Sequence, residues 1–315
     1  MTTGKVYTFR QLFLVSITAS LLFGSLIAAV GYTIQRKRNH EDNEAYRRRI
    51  VDKYSVFSFP LPLCVSFCDE AVPLDRDDCY ERFDRELMVN VYYHSNTFLC
   101  LKRSARWFSL IEAILREEGV PDDFKFLCVI ESNLSNVVSP AGAAGFWQFL
   151  PATAASYGLE VNDHVDERFD VEKSTRAACK FLKDSFGQFG SWTMAAASYN
   201  MGKAGLSNAS KLQNETEFWY LSLNEETSRY IFRILAAKEI FSNPESYGYV
   251  MRPEDVYAPY EVSTLEVDTS IPDLSLFCSE HQCRYRDLKM LNPWLRSNQL
   301  PNKAGKKYRV KLPVN

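Results

Sequence analysis

The chain has 315 residues, 46% of them hydrophobic and 24% charged, with a formal net charge of -2. That is an ordinary globular balance with room for about two domains. It lacks the basic field that nucleic-acid binding uses, so no nucleic-acid partner is expected. The four histidines stand apart, and Cys64 and Cys68 have no second cysteine or histidine pair at zinc-ligand spacing. No metal or cofactor is therefore expected. Eight cysteines could pair in an exported protein, with Cys278 and Cys283 the first candidates for a bridge.

From the N-terminus, Leu12 to Tyr32 is an uncharged, mostly apolar run. It is long enough for a membrane-spanning helix, which needs about 20 residues. Lys5 and Arg10 precede it as they would in a signal peptide, but its length favours an uncleaved anchor. Arg36, Lys37, Arg38 and the arginines from Arg47 to Arg49 follow it, which the positive-inside rule would keep in the cytoplasm. The two signals conflict. A charged stem runs to Lys53, so residues 1–53 form one N-terminal region.

Residues 54–245 read as one mainly helical domain with an N-terminal helical extension. FSFPLPLCVSF is an extended segment, and apolar residues at helical spacing then run from Tyr80 to Leu101 and from Trp107 to Leu115. Gly119 ends that series. Pro121 and Asp122 open the next helix, whose apolar run Phe124 to Ile130 leads to Glu131. Counting back in helical steps from Glu131 meets Cys128, Leu127 and Phe124, so the carboxyl points inward. Apolar walls disfavour its ionised form and let it hold a proton near neutral pH, as a general acid must. The alternative is a polar residue at a helix end.

SPAGAAGFWQ, residues 139–148, follows with Pro140, Gly142 and Gly145 for a tight backbone path, then Phe146, Trp147 and Gln148. Aromatic faces beside an amide suit a pyranose, which has apolar faces and a polar rim. A structural turn packed by its own aromatics fits as well. Pro151 opens a short helix that Gly158 stops, and VNDHVDERFD is a polar loop. Its Asp163, Asp166 and Asp170 are the nearby candidates for a second catalytic carboxylate, and capping or loop roles account for them better.

SWTMAAASYN places Trp192 and Tyr199 on one stripe of a helix ended by Gly202. Tyr199 is either a site residue or a core tyrosine. The helix from Glu226 to Phe241 sets Tyr230, Ile231, Ile234 and Leu235 along an apolar face, with Arg229 and Arg233 outward. Residues 246–259 are a Pro-, Gly- and Tyr-rich linker. The tail, 260–315, gives a strand EVSTLEVD, helices DLSLFCSEH and YRDLKMLNPWL, and a strand KKYRVKLP.

Glu131-Ser132, SPAGAAGFWQ, ASYNMG from Ala197 to Gly202 and ETSRYIFRILA from Glu226 to Ala236 together resemble the soluble-lytic-transglycosylase family of murein-cleaving enzymes, most of all its membrane-bound D type. The resemblance covers residues 121–237. It implies a lysozyme-like catalytic domain acting on peptidoglycan glycan strands at the periplasmic face of the cell envelope. Glu131 is then the single acid/base, cleaving the β-1,4 bond between N-acetylmuramic acid and N-acetylglucosamine with formation of a 1,6-anhydro ring. It also implies a substrate-binding set of Ser132, Ser139, Gln148, Tyr199, Asn200, Glu226 and Tyr230. The tail is similar to a LysM module, a small βααβ glycan binder, although Ile271-Pro272-Asp273 replaces the usual glycine-aspartate-threonine start. A hydrolytic muramidase and a non-catalytic wall-binding protein are the alternatives.

Overall fold

The computed structural model describes residues 24–33 and 57–314. The chain divides into two units, Met1–Ser58 and Phe59–Asn315. In the first, residues 24–33 form an exposed helix, α1. Among the described residues no helix is long and apolar enough to cross a membrane. Most of the expected span from Leu12 to Tyr32 lies outside the described residues, as does the charged stem.

The second unit is mainly helical. A two-residue hairpin, β1 (Ser66–Phe67) and β2 (Glu70–Ala71), leads to α2 (Asp77–Tyr92) and α3 (His94–Glu117). The helical pattern expected to run on from Tyr80 breaks at Tyr93, where ψ is 52°. The Thr97 hydroxyl ties the new helix back to the Asn90 carbonyl at 2.6 Å. The helices that follow are α4 (Lys125–Ser132), α5 (Pro151–Ser156), α6 (Val171–Phe189), α7 (Trp192–Met201), α8 (Lys203–Gln213) and α9 (Glu225–Ser242).

Helix α4 exists because a short apolar run can be buried on nearly every side. Phe126, Leu127, Cys128 and Val129 are all in the core, each apolar side chain contributing about 1.5–3 kcal/mol. It stops at Asn133 and Leu134, both left-handed at φ 52°. Helix α9 packs on α4 and α7, with Ile231, Phe232, Ile234, Leu235 and Ala236 buried. Ala195, Ala196 and Ala197 of α7 are buried too, and their small side chains let neighbouring helices come close. Glu70 caps α7, accepting from the Trp192 and Thr193 amides at 2.6 and 2.9 Å.

The tail forms β3 (Val262–Val267), α10 (Leu274–Glu280), α11 (Tyr285–Leu291) and β4 (Tyr308–Pro313). The strands are antiparallel, with Val262 opposite Pro313 and Val267 opposite Tyr308. Asp273 caps α10 by accepting from the Ser275 amide at 2.6 Å, so the departure at Ile271-Pro272-Asp273 keeps a helix start. The tail's core is shared. Trp294, Leu295 and Tyr308 pack in one apolar cluster with Ala144, Val165 and Phe169 of the helical part. The expected Cys278–Cys283 bridge is not formed: both are free thiols, and burial together with the hydrogen bond that the Cys278 thiol donates to Cys283 pushes it up to about 12.

Candidate active site

Glu131 occupies the last turn of α4, and the buried face of that helix delivers it to a half-buried position against α9. The Tyr230 hydroxyl donates to its Oε1. Desolvation raises the Glu131 carboxyl above the usual carboxylate range; the Tyr230 hydrogen bond and the nearby Arg233 cation pull it down, and Glu226 pushes it up. Burial wins, so the acid keeps its proton to a higher pH than a solvated glutamate. Tyr230 and Tyr199 are raised well above the ordinary tyrosine value, chiefly by desolvation and then by the Glu131 charge. Both therefore remain phenols that can donate.

Tyr199, from α7, donates to the Trp147 carbonyl at 2.7 Å, tying α7 to the SPAGAAGFWQ loop. Asn200 is oriented at both ends. Its Nδ2 donates to Glu226 Oε1 at 3.0 Å and its Oδ1 accepts from the Thr227 hydroxyl at 2.8 Å. Glu226 is exposed in the first turn of α9, one turn before Tyr230. Glu131, Tyr230, Tyr199, Asn200 and Glu226 thus come together around one acid.

The other three expected residues are engaged within the chain. Ser132 is buried, its hydroxyl donating to the Cys128 carbonyl at 3.0 Å. Ser139 Oγ accepts from the Ala143 amide at 3.1 Å inside the loop. Gln148 has φ 46°, and its Nε2 donates to the Gly145 and Val137 carbonyls at 2.7 and 3.1 Å. These bonds hold the loop's shape.

The expectation of an aromatic sugar platform at Phe146 and Trp147 is overturned. Both rings are in the core, and the Trp147 indole donates to Thr175 Oγ1 at 2.9 Å. A buried indole N–H must find an acceptor, and a neighbouring helix supplies it. The turn packed by its own aromatics is what forms.

The tight path of the loop has a measurable cause. A Cβ on Gly145, whose φ is +80°, would lie 1.9 Å from the Arg168 carbonyl oxygen. Arg168 in turn donates to the Gly142 and Phe149 carbonyls at 2.8 and 3.0 Å and pairs with Asp166 at 2.7 Å. Asp166 is therefore neutralised. Asp170 caps α6 through the Lys173 amide at 3.0 Å, and Asp163 is exposed. None of the three is left facing Glu131 as a second catalytic carboxylate.

Sequence reasoning missed two participants. Arg233, expected to face outward, donates to the Ile130 carbonyl at 2.9 Å and sits within electrostatic reach of Glu131. Its spacing of three from Tyr230 and seven from Glu226 puts all three on one face of α9, a signal that was available. Arg168 gave no such signal, because the two carbonyls it holds are 19 and 26 residues away. A groove of about 620 Å³ is lined by Ile130, Asn133, Glu226, Arg229 and Arg233, which flank the acid on α4 and α9. A second, of about 440 Å³, lies where α3 meets the tail, lined by Trp107, Phe169, Asp170, Tyr260, Trp294 and Lys311. Among the described residues no group of three or more His, Cys, Asp or Glu is gathered to hold a metal.

Residues 108–222 match the Transglycosylase SLT domain, and residues 263–315 match the Soluble lytic transglycosylase C-terminal LysM-like domain. The chain thus carries an SLT domain followed by a LysM-like one. It is 31% identical over 180 residues to the Membrane-bound lytic murein transglycosylase D of Escherichia coli (strain K12), covering 55% of this chain and 39% of that protein. The Peptidoglycan transglycosylase gp16 of Escherichia phage T7 is 33% identical over 128 residues, covering 39% of this chain and 10% of that protein. Among solved structures, the 70 kDa soluble lytic transglycosylase SLT70 from Escherichia coli aligns with 56% of this chain and 33% of that chain, at 16% identity and a TM-score of 0.39. The chain spans about two fifths of the length of the curated relatives it matches first.

Proposed function

We propose that this protein is a peptidoglycan lytic transglycosylase in which Glu131 is both the general acid and the general base. The observation that carries this reading is a half-buried carboxyl, raised by desolvation, that takes one hydrogen bond from Tyr230, while the neighbouring carboxylate, Glu226, is exposed and bound by Asn200. The matched SLT domain and the curated relatives support the same reading.

Protonated Glu131 donates to the glycosidic oxygen between N-acetylmuramic acid and N-acetylglucosamine, and that bond breaks at the anomeric carbon. The resulting carboxylate accepts the proton of the muramyl 6-hydroxyl. That oxygen bonds to the anomeric carbon and closes a 1,6-anhydro ring, so the acid ends protonated as it began. The attacking hydroxyl belongs to the same sugar, which gives it the high effective concentration of an intramolecular nucleophile. Tyr230 orients the carboxyl, while Tyr199 and Asn200 hold the loop and α9 around it. Ser132, Ser139, Gln148 and Glu226 complete the proposed substrate site, the first three by holding the backbone that faces the sugar. No cofactor takes part.

The wider assignment rests on the same reading: an enzyme of the cell envelope, held at the periplasmic face by the apolar run from Leu12 to Tyr32, with residues 54–245 as the catalytic domain, 246–259 as linker and 260–315 as the LysM-like module. Digestion of purified sacculi by the full chain and by Glu131→Gln tests the catalytic claim. Release of soluble fragments by the parent and none by the variant is expected; equal release would remove Glu131 from the mechanism, and no release by either would favour the non-catalytic wall-binding protein.

A further inference from the structure

The LysM-like module is fastened to the loop that shapes the active site. Residues 164–166 pair with 294–296 as an extra antiparallel rung: the Asp166 amide donates to the Trp294 carbonyl at 2.9 Å, and the Arg296 amide to the His164 carbonyl at 2.8 Å. Lys306 donates to Glu160 at 2.6 Å and to buried Glu167 at 2.9 Å, and the Tyr308 hydroxyl donates to Glu160 at 2.9 Å. The Arg296 guanidinium lies over the Phe169 ring, 4.3 Å from its centroid.

Those contacts are made to residues 160–169, and the next link is Arg168. Its side chain holds the Gly142 and Phe149 carbonyls, while its own carbonyl fills the space a side chain on Gly145 would need. Ala144 of the same loop packs directly into the module's apolar cluster. The loop's far end reaches the acid's surroundings through the Trp147 carbonyl, which holds the Tyr199 hydroxyl.

We infer that the LysM-like module serves as a brace for catalysis: through Lys306, Tyr308 and the 294–296 rung it fixes the 160–169 segment, and through Arg168 it fixes the SPAGAAGFWQ loop against Glu131. This rests on the transglycosylase reading and goes beyond it, because a module used only to hold glycan would change substrate affinity and leave turnover alone. Lys306 and Tyr308 are positioning residues, remote from the reacting atoms, and precise placement of a catalytic group is worth large factors in rate.

The test compares the full chain with Tyr308→Phe, Lys306→Gln and the double variant on uncrosslinked glycan strands, with amide hydrogen exchange of residues 142–149 followed in parallel. Tyr308→Phe removes one hydroxyl and keeps the ring stacked on Trp294, so it folds if the parent does. The brace predicts that kcat falls about tenfold in the double variant with KM changed less than about twofold, exchange in the loop faster, and Lys306→Arg restoring most of the rate. Unchanged kcat with raised KM, or unchanged loop exchange, would overturn the brace and leave the module as a glycan tether. An inactive parent chain would instead overturn the transglycosylase reading, which keeps the two failures apart.

Discussion

The hydroxyl of Tyr230 donates to Oε1 of Glu131, joining α9 to the last turn of α4 across 99 residues of sequence. A phenol kept protonated by burial aims the carboxyl and favours its charged form, while desolvation favours the neutral one. The acid is held between these two pulls. Loss of the Tyr230 hydroxyl in Tyr230→Phe removes a bond to a charged group, worth about 1.5–3 kcal/mol. We expect kcat/KM to fall roughly tenfold to a hundredfold. The pKa of Glu131 rises further in the variant, so the high-pH limb of its rate profile moves to higher pH.

Arg233 acts on the same carboxyl from the next turn of α9. Arg233→Met removes a cation that stabilises the carboxylate, so the high-pH limb should again move upward. A limb that moves to lower pH would contradict the assigned electrostatics.

The isosteric change Glu131→Gln should separate activity from stability. Activity drops by about 10²–10⁴-fold with loss of the exchangeable proton. The folded-state pKa of Glu131 lies above its unfolded value, so its contribution to stability is fully present below the unfolded pKa and is lost as pH rises through the folded one. Glutamine stays neutral throughout. The melting temperature of the variant relative to the parent should therefore increase between acidic and neutral pH, read by calorimetry at several pH values.

Gly145 and Arg168 test the loop. Gly145→Ala places a methyl 1.9 Å from the Arg168 carbonyl at φ +80° and should cost more than about 3 kcal/mol, with the lost activity following the lost fold. Arg168→Met strands buried Asp166, takes the side-chain donor from the Gly142 carbonyl and leaves the Phe149 carbonyl with only the Ala144 amide, at a cost of about 3–5 kcal/mol. Chemical denaturation reads both.

The parts of the fold written in short-range pattern were legible. The apolar run before Glu131 gives α4, and the strand–helix–helix–strand order of the tail is present with boundaries close to those expected. Inward placement of Glu131 followed from helical periodicity alone. What escaped depends on contacts between distant residues. Trp147 was offered to a sugar because its composition suits one, but the indole goes to Thr175, 28 residues later. The loop VNDHVDERFD looked solvated, yet its Asp166–Arg168 pair is buried by the catalytic loop and the tail, which no local pattern announces. Helix α8 went unseen because its sequence, KAGLSNASKLQ, has few apolar residues to mark it and buries only Leu206.

Mass spectrometry of fragments released from glycan strands in heavy-oxygen water tests the central claim most directly. If Glu131 gives its proton to the glycosidic oxygen and takes one back from the attacking muramyl 6-hydroxyl, each new muramyl end is one water lighter than a reducing end and carries no heavy oxygen. Reducing ends labelled with solvent oxygen would contradict that account and place a water molecule where the muramyl hydroxyl should be.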